Sequence, residues 1–399
     1  MNAVVPGPET ARAALEGLVS PRDDAGVVTS YARAVWSTLT EPGDGVAGAL
    51  VAAFGAVTAL EIALGGAGDD VDTAERAGLT PAALCAGRAR WLPRREDIGH
   101  TLAAARRAGV RLLAPEDVAW PTRLGDLGLH APLCLWTLGD AAQLSPQLGV
   151  ALVGARAASA YGEHVATELA AESAASGIAV FSGAAYGIDG AAHRGALSAE
   201  GSTIAVLAGG VDRPYPAGHR DLIDRVASRG VVVAEVPCGS SPTKWRFLAR
   251  NRLIAALSDA TVVVEAAWRS GALNTAHHAA ELGRPLGAVP GAVTSAASAG
   301  CHRLLREVDA VCITGATDVR ELLGLGGAGA DDGGLFEAGE YTGERTRILD
   351  AVTSRSVRST EEVARRSGMS IADAAALLGL FELEGIVMRR DEGWCRGAS

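Results

Sequence analysis

The chain has 399 residues, of which 48% are apolar and 21% charged, with a formal net charge of −10. That length predicts two or three domains with substantial cores, and the acidic balance argues against nonspecific polyanion binding by the surface as a whole. The six cysteines are widely spaced, with no CxxC or Cys/His ligand pattern; they read as the reduced thiols of a cytoplasmic protein and not as a metal site.

Taken in order, residues 1–25 read as a flexible lead-in. No basic stretch precedes an apolar run there, so no signal peptide is expected. Residues 26–112 read as an N-terminal helical domain, with helices over Tyr31–Leu39, Val46–Phe54, Ala56–Leu64, Pro81–Arg90 and Arg95–Ala108. The apolar run Val46–Leu60 is too short to span a bilayer. It is expected as two packed helices meeting near Gly55, and no membrane contact is expected. Short helices joined at Gly resemble a sterile-alpha-motif or helix-hairpin-helix bundle, but this segment is acidic, which favours a structural or protein-contact role.

From Val110 the period shortens. Val110–Leu113, Leu133–Leu138, Val150–Val153, Ile178–Phe181, Thr203–Leu207, Val231–Glu235, Thr261–Glu265, Pro285–Val289 and Ala310–Ile313 are short apolar runs closed by Gly, Pro or an acid. Helical segments separate most of them, among them Gly162–Ser176, Asp189–Ala199, Arg220–Ser228 and Arg250–Leu257. The fold class is therefore α/β, an extended Rossmann-like parallel sheet over 113–322. Residues 323–341 form a Gly/Asp-rich linker. Residues 342–399 read helix, helix, helix, strand, a winged-helix-like domain open to duplex DNA or to protein.

Charge is not spread evenly. Residues 1–149 and 310–399 each carry −5, whereas 150–309 is neutral, and its cations cluster. Lys244 is the only lysine beside 35 arginines, as expected of a position that wants a compact ammonium. It opens a basic–aromatic stretch, Lys244, Trp245, Arg246, Phe247, Arg250, Asn251 and Arg252.

Four loops at strand ends are rich in Gly, Ser and Arg: Gly154-Ala155-Arg156, Ser182-Gly183, Gly209-Gly210 and Arg269-Ser270-Gly271. Small residues, backbone N–H donors and cations at carboxyl strand ends suit a phosphate-tracking groove. GxGxxG and the Walker pattern are absent, so no dinucleotide or NTP cofactor is expected. Ser182, Asp189 and His193 do not form a triad pattern: Asp189 and His193 are four apart on one helix, and GxSxG is missing. Glu235, Glu265 and Asp212 read as loop-positioning carboxylates, and no catalytic residue is assigned.

Five stretches then carry a resemblance: VGARAASAYG (153–162), SGAAYGIDGAAHRGAL (182–197), AVLAGGVDRPYPAGH (205–219), the long run 234–276 and AVPG (288–291). Together they resemble the DNA-processing protein A family, DprA/Smf. The resemblance implies a non-enzymatic binder of single-stranded DNA that protects incoming strands and loads RecA recombinase during natural transformation, displacing single-strand-binding protein. It also implies a homodimer, with the dimer helix near Gly300–Glu307. It maps the pocket onto Arg156, Arg194, Lys244, Phe247, Arg250, Asn251 and Arg252; the family's frequent proline after the phenylalanine, in F-P-x-R-N-R, is Leu248 here. Phe247 is expected to stack on bases and Trp245 to pack in the core. The rival reading is a nucleotide-processing enzyme of the lysine-decarboxylase-like, phosphoribohydrolase type, whose P-G-G-x-G-T motif is not matched by Ser270-Gly271-Ala272-Leu273-Asn274-Thr275.

Overall fold

Nine strands lie in one sheet in a computed structural model that describes residues 5–65, 70–95, 98–325, 343–354, 356–390 and 393–397. The chain divides into two compact units, 1–326 and 327–399. Most of the expected linker lies outside the described residues.

Six helices open the first unit: α1 (Pro8–Leu15), α2 (Asp24–Leu39), α3 (Gly45–Ala63), α4 (Asp70–Arg76), α5 (Pro81–Trp91) and α6 (Gly99–Arg107). The first corrects the expected lead-in. Pro8 sits in the first turn, and Ala11, Leu15 and Leu18 are fully buried, so this segment is part of the core. Gly55 breaks α3 as expected: at φ 76° and ψ 162° it splits the apolar run into two arms. The whole helix is long and apolar enough to cross a membrane by length and composition, but nearly half of it packs inside the unit, around Trp36 and Trp91.

The strands are β1 (Arg111–Leu113), β2 (Leu135–Gly139), β3 (Gly149–Gly154), β4 (Ala179–Ser182), β5 (Thr203–Leu207), β6 (Val231–Ala234), β7 (Ala260–Glu265), β8 (Leu286–Ala288) and β9 (Val311–Cys312). Their spatial order is β1-β2-β6-β5-β4-β3-β7-β8-β9. Strands β3 to β9 pair in parallel; β1 and β2 add an antiparallel edge. The crossovers carry α7 (Ala160–Ala175), α8 (Ile188–Ser198), α9 (Arg220–Arg229), α10 (Lys244–Leu257), α11 (Ala272–Glu281) and α12 (Ala299–Glu307), and α13 (Ala316–Leu322) follows β9. The central strands are buried on both faces, which explains their unbroken Val/Ile/Ala runs.

From β3 the chain winds one way through β4, β5 and β6, then returns to β7 on the other side of β3. The loops after β3 and β7 therefore diverge, and a crevice opens between them. That topological switch point is where the site forms.

The N-terminal helices do not form a separate domain. Trp136 on β2 donates to Ser37 Oγ at 3.3 Å, Leu112 N donates to Leu18 O at 2.8 Å, and Arg33 donates to Glu116 and to Leu133 O. One apolar cluster joins Leu15, Ala34 and Leu102 to Trp136, Leu207 and Val232. The expected boundary at 112/113 cuts through β1.

The second unit contains α14 (Glu344–Ala351), α15 (Thr360–Ser367) and α16 (Ile371–Leu383), then the hairpin β10 (Val387–Arg390) and β11 (Gly393–Arg396). Ser359 and Ser370 cap the second and third helices through their side chains. Phe381 and Leu378 fill the core with Ile348 and Trp394. The second wing strand was not read from the sequence, because Gly393-Trp394-Cys395-Arg396 has no alternating pattern.

Candidate nucleic-acid interface

A cavity of about 470 Å³ occupies the switch point. Its walls are Gly154 and Arg156 after β3, Asp189 on α8, Tyr215 after β5, one face of α10, and Ser270-Gly271 after β7.

Helix α10 starts earlier than its apolar pattern suggests. Thr243 caps it by accepting from Arg246 N at 3.2 Å, so Lys244 and Phe247 lie in its first turn. Helical spacing puts Lys244, Phe247, Leu248 and Asn251 on one face, and all four line the cavity. The same geometry turns Arg246 away. It is bound instead by Glu41, at 2.9 and 2.8 Å. Two arginines, Arg246 and Arg94, hold the Glu41 carboxyl below its usual range against the opposing effect of burial.

Phe247 is the centre of the site. The Arg156 guanidinium carbon lies 4.3 Å from its ring centroid, that of Arg250 5.9 Å, and the Tyr215 ring 5.7 Å. Arg156 and Lys244 are exposed, and neither forms a salt bridge among the described residues. Arg250 is buried. Its guanidinium donates to Gly183 O at 2.8 Å, to Val206 O, and through Nε to Asn251 Oδ1 at 3.2 Å. Burial lowers its pKa to about 10, opposed by Asp189, so it stays charged at neutral pH.

Asp189 accepts from Gly183 N and Ala185 N at 3.1 and 3.4 Å. Burial raises its pKa, opposed by Arg250 and those two N–H groups. The helix N-cap is Gly187, and the Asp189 carboxylate acts on the preceding loop. Gly183 has no room for a side chain: a Cβ there would collide with the Arg250 guanidinium. The glycine thus admits the cation, and its N–H is already taken by Asp189.

The expected residues separate into two groups. Gly154, Arg156, Lys244, Phe247, Arg250, Asn251, Ser270 and Gly271 meet at the cavity. Ser182, Arg194, Gly209, Gly210 and Arg252 do not. The Ser182 hydroxyl donates to Leu152 O at 2.7 Å inside the sheet. Arg194 is exposed on α8 and does not line the cavity. Gly209 and Gly210 pack against the 237–242 segment, Gly210 N donating to Ser240 O at 2.9 Å. Arg252 points to the other side of α10 and pairs with Glu235 at 2.8 Å. Tyr215 and Asp189 join the site without having been assigned to it; a lone Tyr between prolines carries no periodic signal. Trp245 corrects the core expectation, being 63% exposed.

The carboxylates do what was expected of them. Glu265 accepts from Ser159 N and Oγ at 2.9 and 2.6 Å, Asp212 from Gly239 N, and Glu235 from Gly43 N as well as Arg252. His193 is bonded through Nδ1 to Thr203 Oγ1 at 2.8 Å, so Ser182, Asp189 and His193 each have separate structural partners.

The fold and the site define an α/β protein with a cation-lined crevice at the switch point of its sheet, followed by a winged-helix unit. The chain belongs to the DNA recombination-mediator protein A family: that family's model matches residues 111–324, and the DprA winged helix domain matches 337–393. It is 47% identical over 303 residues to a DNA processing protein DprA of Mycobacterium tuberculosis, covering 72% of this chain and 77% of that one. It is 36% identical over 222 residues to DNA processing protein DprA of Bacillus subtilis, covering 56% and 74%. The crystal structure of DNA processing protein A from Streptococcus pneumoniae superposes with a TM-score of 0.58 at 30% identity, covering 73% of this chain and 97% of that one.

Proposed function

We propose that the crevice binds single-stranded DNA and that the chain is a non-enzymatic mediator, which protects incoming strands and passes them to RecA recombinase during natural transformation. The observation that carries this reading is the grouping of Arg156, Lys244 and Arg250 with the half-buried ring of Phe247 at one cavity. Cations neutralise phosphates irrespective of sequence, and an aromatic face accepts any unpaired base. A paired base cannot offer its face to Phe247 without leaving its stack, which favours single strands over duplex.

Family membership supports the recombination-mediator role. Contact with RecA, displacement of single-strand-binding protein, a cytoplasmic location and a homodimer built on α12 belong to the same proposal. The structural occupation of Ser182, Asp189, His193, Glu235 and Glu265 supports a binder over the nucleotide-processing alternative.

The test is fluorescence anisotropy with labelled oligo-dT and with duplex of equal length across a salt titration. Single-strand preference with a clear salt slope is expected. No binding to either at low salt would overturn the reading, and release of free base from a nucleoside monophosphate would favour the enzyme.

A further inference from the structure

Among the described residues, every exposed Trp, Tyr or Phe lies in the first unit, beyond the carboxyl end of a parallel strand: Tyr161 after β3, Tyr186 after β4, Tyr215 after β5, Trp245 after β6 and Trp268 after β7. The other edge of the sheet presents none. Large rings are expensive to leave in water, so their confinement to one edge marks a binding surface.

Two of the five are engaged away from the cavity. The Tyr161 hydroxyl donates to Pro290 O at 2.8 Å, and Trp268 lies under Arg303 of α12. The remaining three follow β6, β5 and β4, which are neighbours in the sheet. Tyr215, 48% exposed, is itself a wall of the cavity and touches Phe247. Tyr186, 51% exposed, is braced by His219 with ring centroids 4.8 Å apart. Its position leaves no room for a side chain at residue 218, where a Cβ would come 2.6 Å from its hydroxyl. Trp245 is 63% exposed and adjoins Lys244 at the free end of α10.

We propose that Tyr186 and Trp245, which follow the two strands flanking β5, are stacking platforms beside the cavity, so that a single strand seated on Phe247 continues over further rings. The occupant is a run of unpaired nucleobases. This inference rests on the single-strand reading above and deepens it: the pocket accounts for charge and one base, and the flanking rings account for length. Phosphate contacts alone scale with salt, whereas stacking on a ring depends on a base being present and little on salt.

The experiment compares the full chain with Tyr186→Ala, Trp245→Ala and the double variant, each bound to oligo-dT and to a strand of equal length carrying abasic sites outside its central nucleotides. Wild type is expected to bind oligo-dT on the order of tenfold or more tighter for each ring that is engaged. The single variants should lose that factor, keep the wild-type salt slope, and bind the abasic strand as wild type does. Trp245 fluorescence should quench on binding oligo-dT, and the quench should shrink in Trp245→Phe. Equal loss on both strands, or wild-type affinity for oligo-dT in the double variant, overturns the platforms while leaving the pocket standing. Altered self-association with unchanged strand affinity also overturns them and assigns the rings to a protein interface. If wild type binds neither strand, the single-strand reading itself fails.

Discussion

Arg156 caps the ring of Phe247 with its guanidinium 4.3 Å from the centroid. The two residues come from elements about ninety positions apart in the chain, the loop after β3 and the first turn of α10. A base entering the cavity meets a ring whose electron density is already drawn toward a cation.

Arg156 and Phe247 should therefore be coupled. Phe247→Ala is expected to weaken oligo-dT binding by about 1–3 kcal/mol. Arg156→Ala should weaken it too, and the double variant should lose less than the sum of the two. A double-mutant cycle by anisotropy measures the difference; strict additivity would mean that the ring and the guanidinium act on separate parts of the strand.

Lys244→Glu should abolish binding with the fold intact, because Lys244 is exposed and makes no salt bridge among the described residues. Lys244→Ala should lower the salt slope by roughly 0.7 if the ammonium meets one phosphate of a single strand. Thermal unfolding of both variants should match wild type.

Glu235→Ala should do the reverse. It leaves the Arg252 guanidinium buried without its carboxylate, a situation that costs about 3–5 kcal/mol. A large fall in the denaturation midpoint, with any loss of strand binding secondary to unfolding, is the expected outcome.

His193 supplies a pH prediction. Thr203 Oγ1 donates to Val180 O and so accepts from His193 Nδ1, leaving Nε2 unprotonated and without a partner among the described residues. Burial, and then neighbouring positive charge, push its pKa from 6.5 down to about 3. Between those values the unfolded chain binds a proton that the folded chain does not. Stability is fully present above pH 6.5 and falls by up to about 1.4 kcal/mol for each unit of acidification through that window. Denaturant midpoints measured against pH should show this decline, and His193→Leu should remove its share.

The positions of the strands follow closely from the sequence because buried strands need unbroken apolar runs, and the chain supplies nine; their spatial order and the antiparallel edge do not. The site was legible where chemistry and spacing coincide, as in Arg156, Lys244 and Phe247. It was illegible where direction decides. Arg250 and Arg252 are two residues apart and look equivalent in the sequence, yet the helix sends one to the carbonyls of Gly183 and Val206 and the other to Glu235. Ser182 has the composition of a ligand-binding turn, but the sheet claims its hydroxyl first. Trp245 looks like core because tryptophan usually is; only the projecting end of α10 shows otherwise.

The hydrogen bonds from Leu112 to Leu18 and from Trp136 to Ser37 tie the sheet to the segment before it. A chain begun at residue 111, where the family's signature starts, would carry every residue of the cavity and still be mutilated. It would strip Arg246 of Glu41, expose the indole of Trp136 and leave Leu112 N without its acceptor. Failure of such a truncation to bind DNA would say nothing about the first hundred residues as a binding module; it would register the loss of what the sheet packs against. For this protein, dissection has to proceed by single side chains.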